Sequence, residues 1–487
     1  MIAAMMNAQT PSPEDEPGSE MDTWRHTGRQ AVDWIADYLD GIEGRRVQSD
    51  RRPGEVRAML PEFAPETPDS MESVWRDMDD IIVPGLMNWQ SPTFFGYFPA
   101  NNSPPSILGE FLSAGLGVQG MLWSTSPACT ELESLVLDWL VELLGLPAIF
   151  RTDHVGGGVI QDSASSATLC AMIAARDRAT GGRARTEGTR QPLVVYASLD
   201  AHSSVDKAAM ICGIGSQNVR HIPVNSLRQL DVAALRSQVQ SDLDADNIPA
   251  LVVATVGTTA TGAVDDVTAI ADVCQQHDIW LHVDAAMMGA AAICPEFRWV
   301  HRGVDLCDSY CFNPHKWLLV NFDCDCFYVR DRKWLTRSLS IDPEYLRNEA
   351  SESGDVIDYR DWQIPLGRRF RALKLWLVLR LYGAQRLRQM VASHCAMAAD
   401  LADWIRGNPL LMFEGCQLNL VTFRHANGDR ASADLLQRLN ERGRVFLTHA
   451  KVADRFILRA CVGQRTTSGR HVDTLRKELE SAAELPE

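Results

Sequence analysis

The chain has 487 residues, 46% of them hydrophobic, and a formal net charge of −16. That length and apolar content support two or three domains around a large core, and the acidic balance argues against nucleic acid as a partner. No run approaches the roughly 20 apolar residues of a bilayer span, and the opening Met1-Ile2-Ala3-Ala4-Met5-Met6 lacks the basic region and long apolar run of a secretion signal, so a soluble cytoplasmic protein with no membrane partner is expected.

From the N-terminus, Pro11, Pro13 and Pro17 mix with Glu14, Asp15, Glu16 and Glu20, too polar and proline-rich to pack, and residues 1–20 are expected to form a disordered leader. Ala31, Trp34, Ile35 and Tyr38 then repeat at helical spacing. Pro53, Pro61, Pro65 and Pro68 punctuate an extended passage before a second helix over 71–82. Residues 21–103 thus read as a helical segment unable to bury its apolar stripes alone. Over 104–373, short apolar runs at 193–196, 250–255, 279–283 and 326–329 alternate with helical stretches, the pattern of an α/β domain with a mostly parallel sheet covered by helices. Residues 374–487 mix long helices with candidate strands at 418–423 and 455–460, a small α+β domain. Twelve cysteines without a CxxC pair read as buried free thiols in a reducing compartment.

Two segments carry chemistry together. Asp284 ends the apolar run Ile279-Trp280-Leu281-His282-Val283, at the strand edge where open α/β sheets place ligands. Downstream, Asn313-Pro314 precedes His315-Lys316-Trp317. A lysine that forms an imine with an aldehyde cofactor needs a carboxylate to keep the cofactor's ring nitrogen protonated, and Lys316 with Asp284 supplies both, which points to pyridoxal phosphate. Phosphate needs backbone donors and small hydroxyls at a helix start; Ser163-Ala164-Ser165-Ser166, followed by Leu169, Met172 and Ile173 at helical spacing, offers them. Cys307, Cys311 and His315 recur every four residues, but Pro314 interrupts any helix there, so no metal site is expected. Gly156-Gly157-Gly158 does not fit the GxGxxG fingerprint, and no GxSxG elbow is present.

With these motifs, and with 94–99, 126–133, 158–169, 201–205, 254–259 and 358–376 beside them, the chain resembles the aromatic-L-amino-acid decarboxylase family of group II pyridoxal-phosphate decarboxylases from about Met21 to about Arg476. The resemblance implies a fold-type I enzyme whose 21–103 segment packs across a partner subunit, giving a homodimer with active sites at the interface. It implies Ala164, Ser165 and Asn313 as phosphate contacts, with His315 nearby and Ser163 beside them among the cofactor-binding residues. Thr255 is implied as a cofactor contact and His202 as the imidazole stacked on the cofactor ring. Tyr345 falls where the family places a loop tyrosine that delivers a proton after CO₂ leaves, and the polar run 345–355 suits a lid. Asp162 and Ser166 depart from the family's frequent Gly and Glu.

Within the resembled family, whose histidine-specific members usually carry Ser at both positions, His315 and Gly367 count against that branch and Trp317 against the glutamate branch, so the resemblance favours an aromatic amino acid. Trp89, Tyr97, Phe98, Pro99, Ala100, Met121 and Gly367 are the expected pocket residues, with Gly367 leaving room for a bulky ring. Ala100, Met121 and Met287 depart from the family pattern. The alternatives are an aromatic aldehyde synthase on the same scaffold, a group II decarboxylase of a non-aromatic acid and, from another class, a non-catalytic scaffold.

Overall fold

In the computed structural model, which describes residues 19–341 and 356–483, the apolar runs become one central sheet. Its strands are β1 (Gly157–Gln161), β2 (Leu193–Ser198), β3 (Val219–Ile222), β4 (Ile248–Thr255), β5 (Trp280–Asp284), β6 (Ser309–Phe312) and β7 (Asp325–Val329), ordered β1-β7-β6-β5-β4-β2-β3. The pairings among β3, β2, β4, β5 and β6 are parallel; β7 runs antiparallel to both β6 and β1. The C-terminal ends of β1, β4, β5 and β6 therefore share an edge with the first residue of β7. Every residue of β1, β2, β5, β6 and β7 is buried, the burial expected of a sheet covered on both faces.

The two faces separate by strand alternation. Val194, Tyr196, Val252, Leu281, Val283 and Tyr310 join Leu137 and Leu140 of the helix Pro127–Leu144 in one core cluster. Val195, Leu251, Val253 and Trp280 pack on the opposite side with Met172 and Ala175 of the helix Ala164–Ala179.

A second, four-stranded antiparallel sheet is built from β8 (Leu411–Gln417), β9 (Leu420–His425), β10 (Thr448–Val452) and β11 (Arg455–Cys461), in the order β10-β11-β9-β8. Leu401, Leu435 and Leu475 from three helices close its core. The first of these helices, Arg371–Gly407, is interrupted at Gly383, whose φ of 70° and ψ of 159° are non-helical and cost least at glycine.

The chain divides into two compact units at Ser91 and Pro92, twelve residues ahead of the boundary read from sequence. Phe95 explains the second unit's early start: it is fully buried in the C-terminal core, and its N–H donates to Phe446 O at 2.9 Å. In the first unit Ser19 accepts from Asp22 N and caps the helix Glu20–Asp40, so Ser19 and Glu20 belong to the helix rather than to the leader. Trp34 stacks on Tyr38 and Trp75 at 5.8 and 5.9 Å, and no residue of this helix is buried. No described helix is long and apolar enough to cross a membrane.

Candidate active site

At the shared strand edge a cavity of about 200 Å³ is lined by Phe98, Ser163, Ala164, Ser165, His202, Thr255, Gly257, Thr259, Asp284, Ala286, Met287, Asn313, His315, Lys316 and Phe322. All nine expected cofactor residues lie around it. Each arrives on an element end. Ser163 caps the helix Ala164–Ala179, its Oγ accepting from Ser166 N and donating to Asp162 Oδ1. Thr255 and Asp284 end β4 and β5, and Asn313 follows β6. Asp265 fixes the end of β4 by accepting from Thr255 N at 2.8 Å and Leu230 N at 2.7 Å.

Lys316 sits on the one-turn helix Pro314–Trp317, half-buried, with Nζ 5.4 Å from the centre of the Phe98 ring. Burial lowers the pKa of its amine, and Asp284 is the strongest charge opposing that shift. A lysine so placed reaches its neutral, nucleophilic form more readily than one in water. Asp284 is 6% exposed, and its Oδ1 accepts from Ala286 N at 3.0 Å. The helix carrying Lys316 is held from outside by Asn101, whose Nδ2 donates to Lys316 O at 2.8 Å and to Gly463 O at 2.7 Å. Trp317 Nε1 donates to His394 Nδ1 at 3.0 Å, anchoring the turn on the helix Arg371–Gly407.

The two histidines differ. His202 is exposed, and its Nδ1 accepts from Ser204 N at 3.2 Å, which leaves Nε2 to carry the proton of the neutral ring. His315 is buried; Cys324 N donates to its Nδ1 at 2.9 Å, and burial followed by the Lys316 charge pushes its pKa down to about 3. His315 is therefore a neutral imidazole with Nε2–H, packed on Phe322 at 4.7 Å.

Of the expected substrate-pocket residues, Phe98 lines the cavity. Tyr97 is 49% exposed, Pro99 packs against Gly463, and Ala100, Met121 and Gly367 lie outside the lining set. Trp89 belongs to the first unit. Tyr345 lies outside the described residues. The sequence reading assigned no role to Gly257, Thr259, Ala286 or Phe322, although three of them neighbour assigned residues in the chain. Gly257 has φ +94°, and a Cβ there would meet Met288 Cγ at 2.6 Å, so the turn after β4 takes no side chain.

The donor set fits pyridoxal phosphate. Thr255 Oγ1, a hydroxyl able to donate, is buried without a hydrogen-bond partner among the described residues, and Thr255 and Asn313 both line the cavity. A helix start with small hydroxyls faces the same space as the lysine and the strand-end carboxylate. This geometry defines a site built for a phosphate-bearing aldehyde cofactor held by a lysine. The pyridoxal-dependent decarboxylase conserved domain matches residues 53–426. Aromatic-L-amino-acid decarboxylase of Rattus norvegicus is 42% identical over 471 residues, covering 94% of this chain and 97% of its own. Phenylacetaldehyde synthase of Arabidopsis thaliana is 42% identical over 469 residues, covering 94% and 95%. A crystal structure of Oryza sativa TDC with PLP and tryptamine superposes with a TM-score of 0.93 at 38% identity, covering 96% of this chain and 99% of that one. The chain belongs to the pyridoxal-dependent decarboxylases, and its cofactor is pyridoxal phosphate.

Proposed function

We propose that the protein decarboxylates aromatic L-amino acids to arylalkylamines and CO₂. The observation that carries this reading is the convergence of Lys316, Asp284 and the Phe98 ring on one cavity, in a chain whose relatives include an aromatic-L-amino-acid decarboxylase. Pyridoxal phosphate supplies an electron sink for the pair left at Cα when the carboxylate departs. Around it, Lys316 would offer its Nζ as the covalent anchor for the cofactor. Asp284 holds a proton at the ring nitrogen; Asn or Ala there would remove that charge. Ser163, Ala164, Ser165 and Asn313 bind the phosphate, and Thr255 contacts the cofactor beside them. His202, with its proton at Nε2, orients substrate over the ring. Tyr345 delivers the proton to Cα after CO₂ leaves, which makes amine the main product.

A homodimer in the cytoplasm completes the reading. Leu108, Phe111, Leu112 and Leu116 of the helix Pro104–Leu116 are 44–60% exposed on one chain, an apolar stripe of the kind a second copy covers. Met121 and Gly367 would then act from the neighbouring copy.

The deciding experiment measures CO₂ release over Trp, Tyr, Phe, Dopa, His and Glu, with amine and aldehyde both quantified. Turnover of His or Glu above all four aromatic acids refutes the aromatic reading, and aldehyde as main product replaces it with the oxidative one.

A further inference from the structure

Asp325, the first residue of β7, is fully buried, and neither carboxyl oxygen has a hydrogen-bond partner among the described residues. A buried acid without a partner needs an explanation, because leaving such a group unpaired costs more than replacing it with an apolar side chain. The sheet register places it. Asp284 pairs with Cys311, Cys311 with Phe327, and Gln161 with Asp325. Cross-strand partners share a face and side chains alternate, so Asp325 projects from the same face as Asp284, beneath the helix Ala164–Ala179 whose start lines the cavity. Continuing the β6–β7 register one step past Phe312 and Cys326 sets Asn313 opposite Asp325. Asn313 Oδ1 is itself a buried acceptor without a donor. Gln161 Oε1, on the other flank, already accepts from Cys170 Sγ at 3.8 Å.

We propose that Asp325 is a positioning residue that works as a hydrogen-bond donor, its carboxyl proton fixing the Asn313 side chain at the phosphate end of the cofactor cavity. The inference rests on Asn313 being a phosphate contact. It gives the buried acid a function and lets the site hold an anionic cofactor with two further carboxylates nearby. The charged groups facing Asp325 are Asp284 from β5, Asp162 after β1 and Lys316 from its one-turn helix; the thiols are Cys324 beside it, Cys311 from β6 and Cys170 from the covering helix. Burial first, then Cys324 and Asp284, raise the pKa of the Asp325 carboxyl well above the usual carboxylate range, with Lys316 opposing. Burial likewise keeps Cys170 and Cys311 as thiols. A raised folded pKa means the carboxyl keeps its proton to higher pH than a free carboxyl does, and the donor is lost as pH rises through the folded value.

The test titrates apo-protein with pyridoxal phosphate from neutral to alkaline pH and reads the dissociation constant by fluorescence quenching. The parent should lose affinity on alkalinisation. Asp325→Asn keeps a donor that does not titrate: it should bind within about threefold of the parent at neutral pH and lose the Asp325-dependent part of the alkaline decline. Asp325→Leu should bind about tenfold more weakly, the loss of roughly one hydrogen bond. Superimposable pH profiles for the parent and Asp325→Asn overturn the proposal even if Asp325→Leu does not fold. Asn313→Ala separates the two levels: undiminished phosphate-cofactor affinity there overturns the Asn313 assignment and the proposal with it, whereas a loss there without one in folded Asp325→Leu overturns the Asp325 role alone.

Discussion

Glu133→Gln isolates a buried ion pair that joins the helix Pro127–Leu144 to Arg368 across β1. Arg368 Nη2 lies 2.6 Å from Glu133 Oε1, with the two side chains 2% and 4% exposed. The same carboxylate oxygen accepts from Ile160 N at 2.8 Å, Arg368 Nη2 donates to Ile160 O at 3.0 Å, and the guanidinium lies 4.7 Å from the Tyr359 ring centre. Removing one partner of such a pair strands a buried charge, at about 3–5 kcal/mol. Glutamine keeps an acceptor for Ile160 N–H and spares that bond's ~1 kcal/mol, so the lower end applies, and ~3 kcal/mol is about a hundredfold in the unfolding equilibrium. Because the pair is almost solvent-free, no discount for screening is due. Denaturant midpoints followed by far-UV circular dichroism measure it. The joint variant Glu133→Leu with Arg368→Met removes both charges and should cost clearly less than the sum of the two single variants, keeping the penalty of the unpaired Ile160 N–H and C=O. A single variant costing under ~1 kcal/mol, or a joint variant costing the sum of the singles, refutes the reasoning.

Lys316→Ala should remove the visible absorbance of the lysine-bound cofactor and stop turnover with little change in far-UV circular dichroism; a reducible enzyme-linked cofactor in the variant contradicts the assignment. Tyr345→Phe should lose most amine formation and gain aldehyde, ammonia and oxygen uptake, and undiminished amine output moves the proton donor elsewhere. Acid should unfold the protein through its buried histidines. Burial pushes His282, His301 and His394 down to about 4 and His315 to about 3, from an ordinary 6.5, whereas it pushes Asp265 up to about 6 and Asp325 well up. Near pH 5 the unfolded chain thus binds more protons at these four histidines than the native chain binds at the two acids, so stability falls on acidification. A flat denaturant midpoint between about pH 6.5 and 5 would contradict that balance.

Sequence legibility followed how much of each feature is local. β5 and the lysine turn were readable because a buried apolar run ending in an acid, and a Pro-broken turn carrying a lysine, announce their chemistry within a few residues. β1 was hidden by Gly156, Gly157 and Gly158, whose backbone role is close packing: a Cβ on Gly158 would meet Tyr328 Cδ1 at 2.7 Å. β3 was missed because it is four residues long, with Arg220 only partly buried and His221 exposed. The reversal of β7 is a tertiary property, and with it went the role of Asp325, which looks like an ordinary strand-start acid until its flanking strands are known. Within 97–100, composition does not say which side chains face inward: Phe98 turns to the cavity while Tyr97 faces solvent and Pro99 packs on Gly463.

Asn101 gives the lysine turn a mechanical link to the C-terminal sheet. Its single amide bridges Lys316 O and Gly463 O, and its Oδ1 accepts from Arg465 N at 2.9 Å. Gly463 lies two residues past the end of β11, so a tilt of that sheet is transmitted through two short bonds to the peptide that carries the reactive amine. The visible absorbance of the lysine-bound cofactor is thereby the expected readout for movements of a sheet that contributes no residue to the cavity lining.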